Sequence, residues 1–173
     1  MTRAVPSRLA GVDRTLVLLR HAKSDWPDGV ADFDRPLSER GRRDALAVGR
    51  QLAAWDLPLD LVLCSTAVRT RQTWEQAVAG GAEAREVQHV PAVYQAGTPE
   101  LTALVRGLAA DVRAVLVLGH GPALPELADL LAGPAATWSG YPTAGLTRLA
   151  VDGPWSGLSP EHCRLEAFLS PRG

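Results

Sequence analysis

The sequence predicts an α/β fold of three layers, in which a mostly parallel central sheet lies between helices on both faces. Three short apolar runs, at residues 15–19, 59–64 and 114–118, have the composition of strands buried on both faces. Each run is followed further along the chain by a segment with helical spacing of its apolar residues. A repeated order of strand, loop and helix is typical of this architecture.

The length and composition fit one ordinary domain, because the chain has 173 residues, is 46% hydrophobic and carries a net charge of −1. A near-neutral chain gives no reason to expect binding to nucleic acid or to a membrane. No segment has the pattern of a signal peptide or a membrane helix, and two cysteines are too few for a disulfide framework. We expect a cytoplasmic protein with a loose leader at residues 1–13 and a single domain at residues 14–173.

Turn and capping residues predict where the elements of the first half begin and end. Ser38 is the expected N-cap of a helix that ends before Pro58. Ser65, directly after the second apolar run, is the expected N-cap of a helix that reaches about Val78. Weak alternation of polar and apolar residues predicts a third strand at residues 85–90.

In the second half, proline and glycine mark the helix ends. Thr98 is the expected cap of a helix with Pro99 at its first position, and Pro125 is expected to start a helix that Gly133 closes. The remaining apolar segments predict two closing strands, at residues 143–151 and 163–169.

Polar residues that directly follow the three best strands form the candidate site. Arg20 and His21 follow the first strand, Arg69 lies in the first turns after the second strand, and His120 follows the strand at 114–118. Ligands of such sheets bind beyond the carboxyl ends of the strands, so we expect these four side chains to converge. The planar guanidinium of arginine can donate two parallel hydrogen bonds to a pair of phosphate oxygens, and an unprotonated imidazole can attack phosphorus. The set predicts phosphoryl transfer through a phosphohistidine, with no metal or other cofactor required.

The same residues carry a resemblance to a known family. Residues 19–24 (Leu-Arg-His-Ala-Lys-Ser) resemble the Arg-His-Gly signature of the histidine phosphatase superfamily, in an Arg-His-Ala variant. Further matching blocks follow in the order and spacing of the small SixA-type phosphohistidine phosphatases, at residues 34–43, 65–73, 119–124 and 141–144. The resemblance implies a phosphoglycerate-mutase-like fold without a lid subdomain for residues 14–173.

The resemblance also implies a role for each site residue. His21 is the expected nucleophile, Arg20 and Arg69 are expected to clamp the phosphoryl oxygens, and His120 is expected to add a further donor. Ser24 matches a position that adds a hydroxyl contact to phosphate in some relatives.

Two features favour a phosphoryl group carried on another protein, such as a phosphotransfer domain. Larger relatives supply a proton-donating carboxylate from the segment after the third strand, but residues 90–95 contain no acid. Imidazole leaves from phosphorus more easily than an alkoxide, so phosphohistidine fits this absence, with Asp25 or Asp28 as alternative donors. Residues 73–114 also leave no room for a lid, and an open site suits a protein substrate.

Other interpretations remain open at this stage. A phosphatase for a small phosphate ester or anhydride is one alternative, and a non-catalytic phosphate-binding module is another.

Several residues near the motifs are expected to lie outside the chemistry. Arg71 lies about 200° around the helix from Arg69, so only one of the two can face the site. Cys64 is expected to be a small buried hydrophobic residue, and Trp26 to lie near the mouth of the site. The aspartates of the loop lack the spacing of a calcium site and are expected to be solvated. They are Asp25, Asp28, Asp32 and Asp34.

Overall fold

The computed structural model describes residues 14–173, so the predicted leader at residues 1–13 lies outside the described residues. The strands are β1 (Arg14–Arg20), β2 (Leu59–Ser65), β3 (Ala84–Val90), β4 (Ala114–Gly119), β5 (Leu146–Val151) and β6 (Cys163–Leu169). The helices are α1 (Glu39–Ala54), α2 (Val68–Ala79), α3 (Thr98–Arg106) and α4 (Ala123–Ala132).

The six strands form one sheet in the order β3-β2-β4-β1-β5-β6. The pairs β2–β3, β2–β4 and β1–β4 are parallel, whereas β5 and β6 are antiparallel to their neighbours. Successive residues of a strand point to opposite faces of the sheet. Leu16 and Leu18 therefore pack with α3 and α4, while Val17 and Leu19 pack with α1 and α2. This arrangement confirms the predicted three-layer fold with a mostly parallel sheet.

The start of α1 is the best-predicted helix boundary. The Ser38 side chain accepts a hydrogen bond from the Gly41 backbone N–H at 3.0 Å, as its expected role as N-cap requires. The same side chain donates to the Lys23 carbonyl oxygen at 3.0 Å. A β-carbon at Gly41 would lie 1.9 Å from that oxygen, so only glycine allows α1 to approach the loop after β1 this closely.

Three helix starts differ from the prediction. Ser65 is the last residue of β2, where it pairs with Val90, and Ala67 is the N-cap of α2 instead. Gly97, not Thr98, caps α3, because the Glu100 carboxylate accepts a hydrogen bond from the Gly97 N–H at 2.9 Å.

The fourth helix begins at Ala123, two residues before Pro125. Proline is tolerated in a first turn, because the N–H groups there have no partner within the helix. The strand predicted at residues 143–151 begins only at Leu146. Ala144 precedes it with φ at 59°, and its N–H donates to the carbonyl oxygens of Arg20 and His21, both at 3.1 Å. This turn ties β5 to the end of β1.

Within residues 14–173, no helix is long and apolar enough to cross a membrane. The same part of the chain contains no group of three or more His, Cys, Asp or Glu side chains close enough to hold a metal ion.

Candidate active site

A cavity of about 470 Å³ lies at the carboxyl ends of the parallel strands. Its lining residues come from the ends of β1 and β4, the loop after β1, α2 and the segments that follow β3 and precede β5. They are Arg20, His21, Lys23, Ser24, Asp32, Arg35, Arg69, Tyr94, Gln95, His120, Gly121 and Thr143. The four residues expected to converge are all among them. Of the residues 14–173 that the structure describes, four cationic side chains and one carboxylate line the cavity, which gives it a strongly positive charge.

The ring of His21 is held in one tautomer. Its Nδ1 lies 2.8 Å from the Ala22 carbonyl oxygen, which can only accept, so Nδ1 carries the proton. Its Nε2 accepts a hydrogen bond from the Nε of Arg69 at 3.3 Å, which requires an unprotonated nitrogen. The backbone is fixed as well, because the His21 N–H donates to the Gly119 carbonyl at 3.0 Å. The lone pair of Nε2 is therefore on the side of Arg69.

The electrostatic environment keeps His21 neutral. Burial is the largest cause and, with the positive charges of Arg69 and Arg20, lowers the pKa of His21 to about 3. The hydrogen bond to Ala22 acts in the opposite direction and is too weak to reverse the shift. Only 8% of the residue is exposed. At neutral pH the imidazole is unprotonated, which is the state that an attack on phosphorus would require.

Arg69, in the first turn of α2, is only 5% exposed, and its side chain lines the cavity. Its NH1 and NH2 groups donate to Asp32, at 2.6 Å to the backbone oxygen and 3.1 Å to the carboxylate. Its Nε faces His21. The guanidinium is thus fixed between the loop after β1 and the imidazole.

Arg20 reaches the cavity from the last position of β1. Its NH1 donates to the Tyr141 carbonyl at 2.6 Å. Its NH2 makes no hydrogen bond within residues 14–173, and its buried Nε also lacks a partner there. Burial lowers the pKa of Arg20 from its ordinary value. An anion in the cavity would therefore find unused donors on this side chain.

His120 lies beside the candidate nucleophile, with a distance of 5.2 Å between the centroids of the His21 and His120 rings. Its Nε2 is 2.7 Å from the Oγ of Ser65, whereas its buried Nδ1 has no partner within residues 14–173. Burial, with the charge of Arg69, lowers the pKa of His120 to about 4. Both imidazoles are neutral at physiological pH.

Asp32 is the one carboxylate among the cavity-lining residues. Its oxygens accept hydrogen bonds from Tyr94 at 2.8 Å, from Arg35 at 3.1 Å and from Arg69 at 3.1 Å. Burial raises the pKa of this carboxyl, but the hydrogen bonds from Tyr94 and Arg35 and the charge of Arg69 bring it down to about 2. Asp32 is an anion throughout the physiological range.

Comparisons with known proteins identify the family of the chain. A sequence profile of the histidine phosphatase superfamily (branch 1) matches residues 16–94. An uncharacterized protein of Mycobacterium tuberculosis is 37% identical over 163 residues, which covers 89% of this chain and all of that protein. The solved structure of a Nakamurella multipartitia protein assigned as the phosphohistidine phosphatase SixA is 32% identical, with a TM-score of 0.80, and covers 92% of this chain and 96% of that one. The chain belongs to the histidine phosphatase superfamily.

A second SixA structure, assigned as such in Agrobacterium tumefaciens, is 31% identical with a TM-score of 0.77 and covers 91% of this chain and 99% of that one. The fold is that of the phosphoglycerate-mutase-like histidine phosphatases, and the protein is a phosphatase. The superfamily and the fold therefore agree with the resemblance that the motifs carry.

Ser24 of the phosphatase lies in the cavity wall, but its oxygen already accepts a hydrogen bond from the NH2 of Arg35 at 2.6 Å. The hydroxyl proton of Ser24 is left free to point elsewhere. Arg35 itself is held on every side, because it also bonds Asp32 and the Asp25 carbonyl and lies 3.5 Å from the ring of Trp26.

Sequence reasoning missed the roles of Arg35, Asp32 and Tyr94 in the cavity. Arg35 lies in one of the motif blocks, which was the available signal, whereas Asp32, expected to be solvated, is 47% exposed and in addition lines the cavity. Asp25 and Asp28 were the expected alternative proton donors, and neither lines the cavity. No pattern in the sequence distinguishes one of these loop aspartates from the others.

Three further residues of the phosphatase lie as expected. Arg71 is exposed, whereas Arg69 faces the cavity. Trp26, 69% exposed, stacks on Arg35 at the mouth of the cavity. Cys64 is fully buried in β2, and burial raises the pKa of its thiol to about 12, as for a small apolar residue rather than a nucleophile.

Proposed function

We propose that this phosphatase hydrolyses phosphohistidine on a protein, and that it does so through a phosphorylated His21. The observation that carries the proposal is the state of the His21 ring: Nδ1 holds the proton, and Nε2 presents a lone pair to a cavity lined by arginines. Binding of phosphate alone has no need of such a nucleophile.

The chemistry balances without a proton donor when both partners are imidazoles. The Nε2 of His21 attacks phosphorus, a P–N bond forms, and the P–N bond to the substrate ring breaks. A substrate ring that is protonated on its other nitrogen leaves as neutral imidazole, and phosphorylated His21 carries its own proton on Nδ1. Water then attacks phosphorus, the P–Nε2 bond breaks, and the products are dihydrogen phosphate and neutral His21.

The other site residues have distinct roles in this proposal. Arg20 and Arg69 bind the phosphoryl oxygens, because a guanidinium fork matches a pair of them. His120 adds a donor beside the nucleophile, and Ser24 directs its free hydroxyl proton to the same group. These donors stabilise the negative charge on the phosphoryl group in the transition state of the transfer.

The character of the one carboxylate favours phosphohistidine over an alkyl ester. Asp32, with a pKa of about 2, cannot protonate an alkoxide at neutral pH. An imidazole leaving group needs no such acid. Two solved relatives assigned as SixA, at 32% and 31% identity, carry the same substrate in their names.

The cytoplasmic location expected from the sequence stays part of this proposal, with a phosphotransfer domain as the partner.

A rapid-quench experiment with a ³²P-labelled phosphohistidine domain tests the intermediate. We expect a burst of label on the phosphatase itself, distinct from the label on the substrate domain, and this label should be labile to acid and stable to base. We expect no burst and no turnover in His21→Ala. His89→Ala, which removes an exposed histidine of β3, is the matched control and retains both. Turnover near the wild-type rate in His21→Ala would disprove the role of His21.

Competition between that domain and a panel of small phosphates tests the substrate. We expect the protein substrate to have the highest kcat/KM. Faster hydrolysis of an ester or anhydride would assign the enzyme to small phosphates, and tight phosphate binding without turnover of any substrate would reduce the site to a binding module.

A further inference from the structure

Asp32 connects three separate segments of the chain around the cavity. Its carboxylate accepts hydrogen bonds from Arg69 of α2, from Arg35 of the loop before α1, and from Tyr94 after β3. Its backbone oxygen also accepts from Arg69 at 2.6 Å. The carboxylate remains 47% exposed, so it is held by these partners rather than by packing.

These contacts decide which edge of Arg69 faces the nucleophile. Asp32 occupies the end of the guanidinium, where NH1 and NH2 both donate to it. The adjoining edge, formed by Nε and the second N–H of NH2, is left toward His21, with Nε 3.3 Å from Nε2. A phosphoryl group that accepts the Nε–H of Arg69 in place of His21 would free the lone pair of His21 Nε2 and lie within its reach. An arginine without this anchor samples many rotamers, and ordering it costs free energy.

We propose that Asp32 is a positioning residue, which holds the Arg69 guanidinium so that its Nε edge binds the phosphoryl group beside His21. The proposal rests on the proposed function, because it assigns a geometry to the arginine that function requires. Asp32 neither accepts nor donates a proton in the reaction. It acts through Arg69, as supporting shells of functional sites do.

The first test replaces the charge and keeps the shape. We expect Asp32→Asn to lower kcat/KM for a phosphohistidine domain about 30-fold, because misplacement of a binding group by about 1 Å costs up to about 100-fold. Asp34→Asn removes the same charge two residues away, and its carboxylate makes no ion pair within residues 14–173. We expect that control to stay within about two-fold of wild type. Equal losses in both variants would overturn the proposal.

A double-mutant cycle separates positioning from a general structural role. If Asp32 acts through Arg69, the losses in Asp32→Ala and Arg69→Ala do not add. We expect the double variant to be within about two-fold of Arg69→Ala alone. Losses that multiply would show that Asp32 acts independently of Arg69 and would overturn the proposal.

Binding of inorganic phosphate, measured by titration calorimetry, keeps this inference distinguishable from the proposed function. We expect Asp32→Ala to weaken phosphate binding, and the same cycle to be non-additive in affinity. Wild-type affinity in Asp32→Ala would overturn the inference even if turnover is normal. A non-additive cycle in an enzyme that fails to hydrolyse phosphohistidine would uphold it while the proposed substrate fails. Thermal unfolding of each variant confirms that the comparison is made between folded proteins.

Discussion

The two ends of β1 carry an arginine each, and the two arginines have different surroundings. At the amino end, the NH1 and NH2 groups of Arg14 donate to the carbonyl oxygens of Gly153 and Ala110, at 2.6 and 3.1 Å. At the carboxyl end, NH1 of Arg20 donates to the Tyr141 carbonyl, and no other donor of this side chain is bonded within residues 14–173. The same residue type thus closes the fold at one end of the strand and leaves donors for a ligand at the other.

Two carboxylates differ in the same way: one lies at the edge of the sheet where the parallel strands begin (the amino edge), and the other lies at the opposite edge, where they end. Asp60, near the start of β2, accepts hydrogen bonds from the backbone N–H groups of Arg113 and Ala114, at 2.7 and 3.0 Å. Asp32, at the opposite edge, accepts from the side chains of Arg35, Arg69 and Tyr94. One carboxylate connects backbone segments, whereas the other holds side chains in place around a cavity. The comparison shows that charged groups at the amino ends bond to the backbone, whereas those at the carboxyl ends line the cavity.

The largest effect is expected at the carboxyl end of β1. We expect Arg20→Lys to lower kcat/KM for a phosphorylated substrate about 100-fold, because lysine keeps the charge but lacks the fork that matches phosphate oxygens. Arg14→Lys is the matched change at the amino end. We expect it to leave kcat/KM within about two-fold and to lower the free energy of unfolding by about 1 kcal/mol. Comparable activity losses in both variants would remove the distinction between the edges.

The next effect concerns the dependence of stability on pH. The pKa of His21 is about 3 in the folded protein against an ordinary 6.5, so below pH 6.5 the unfolded chain binds a proton that the folded protein does not. Folded-state stability is therefore lost as the pH falls through this window, by about 2 kcal/mol from this group between pH 7 and pH 5. Urea unfolding of wild type and His21→Asn measures the difference. We expect His89→Asn, at the exposed β3, to keep the wild-type dependence of the free energy of unfolding on pH. The same dependence in His21→Asn as in wild type would contradict the prediction.

A smaller effect, on stability alone, is expected at the amino edge. Asp60→Ala leaves the N–H groups of Arg113 and Ala114 without their acceptor, which we expect to cost about 1–2 kcal/mol in the free energy of unfolding. Activity per folded molecule should stay at the wild-type value. A loss of kcat/KM without a loss of stability would show that the amino edge communicates with the site.

The smallest effect is expected on the solvent side of α2. We expect Arg71→Ala to change kcat/KM by less than about two-fold, because its exposed side chain points away from the cavity. Arg69→Ala in the same assay should reduce kcat/KM by about 100-fold. A large loss from Arg71→Ala would mean that the positive charge of the helix, rather than the fork of Arg69, serves the reaction.

The parts of the fold and site that follow from strand position were predictable. Leu16 to Leu19 and Ala114 to Leu118 are apolar without interruption, which is sufficient to predict two buried strands, and the structure pairs them side by side. The convergence of Arg20, His21 and His120 then follows from topology, because the ends of adjacent parallel strands meet at one edge. Arg69 followed from its place one turn after β2.

The contacts of the loop after β1 could not be predicted in this way. Asp32 meets Arg69 across 37 residues of sequence, and a loop without periodicity gives no register from which to derive such a contact. Ser65 was misread for a related reason. Its hydroxyl is chemically suited to cap a helix, but pairing with Val90 keeps it in the sheet and brings it to His120 instead. Local propensity was overridden by a contact that only the folded chain contains.

The glycine at the start of α1 limits how this enzyme can be altered. Any larger residue at position 41 would force the carbonyl of Lys23 outward and, with it, the backbone two residues after His21. Trp26, at the mouth of the cavity, is under no such restriction, because it is 69% exposed. Redesign for new substrates should therefore vary the mouth of the cavity and keep Gly41, since this glycine lets α1 lie against the loop that follows β1.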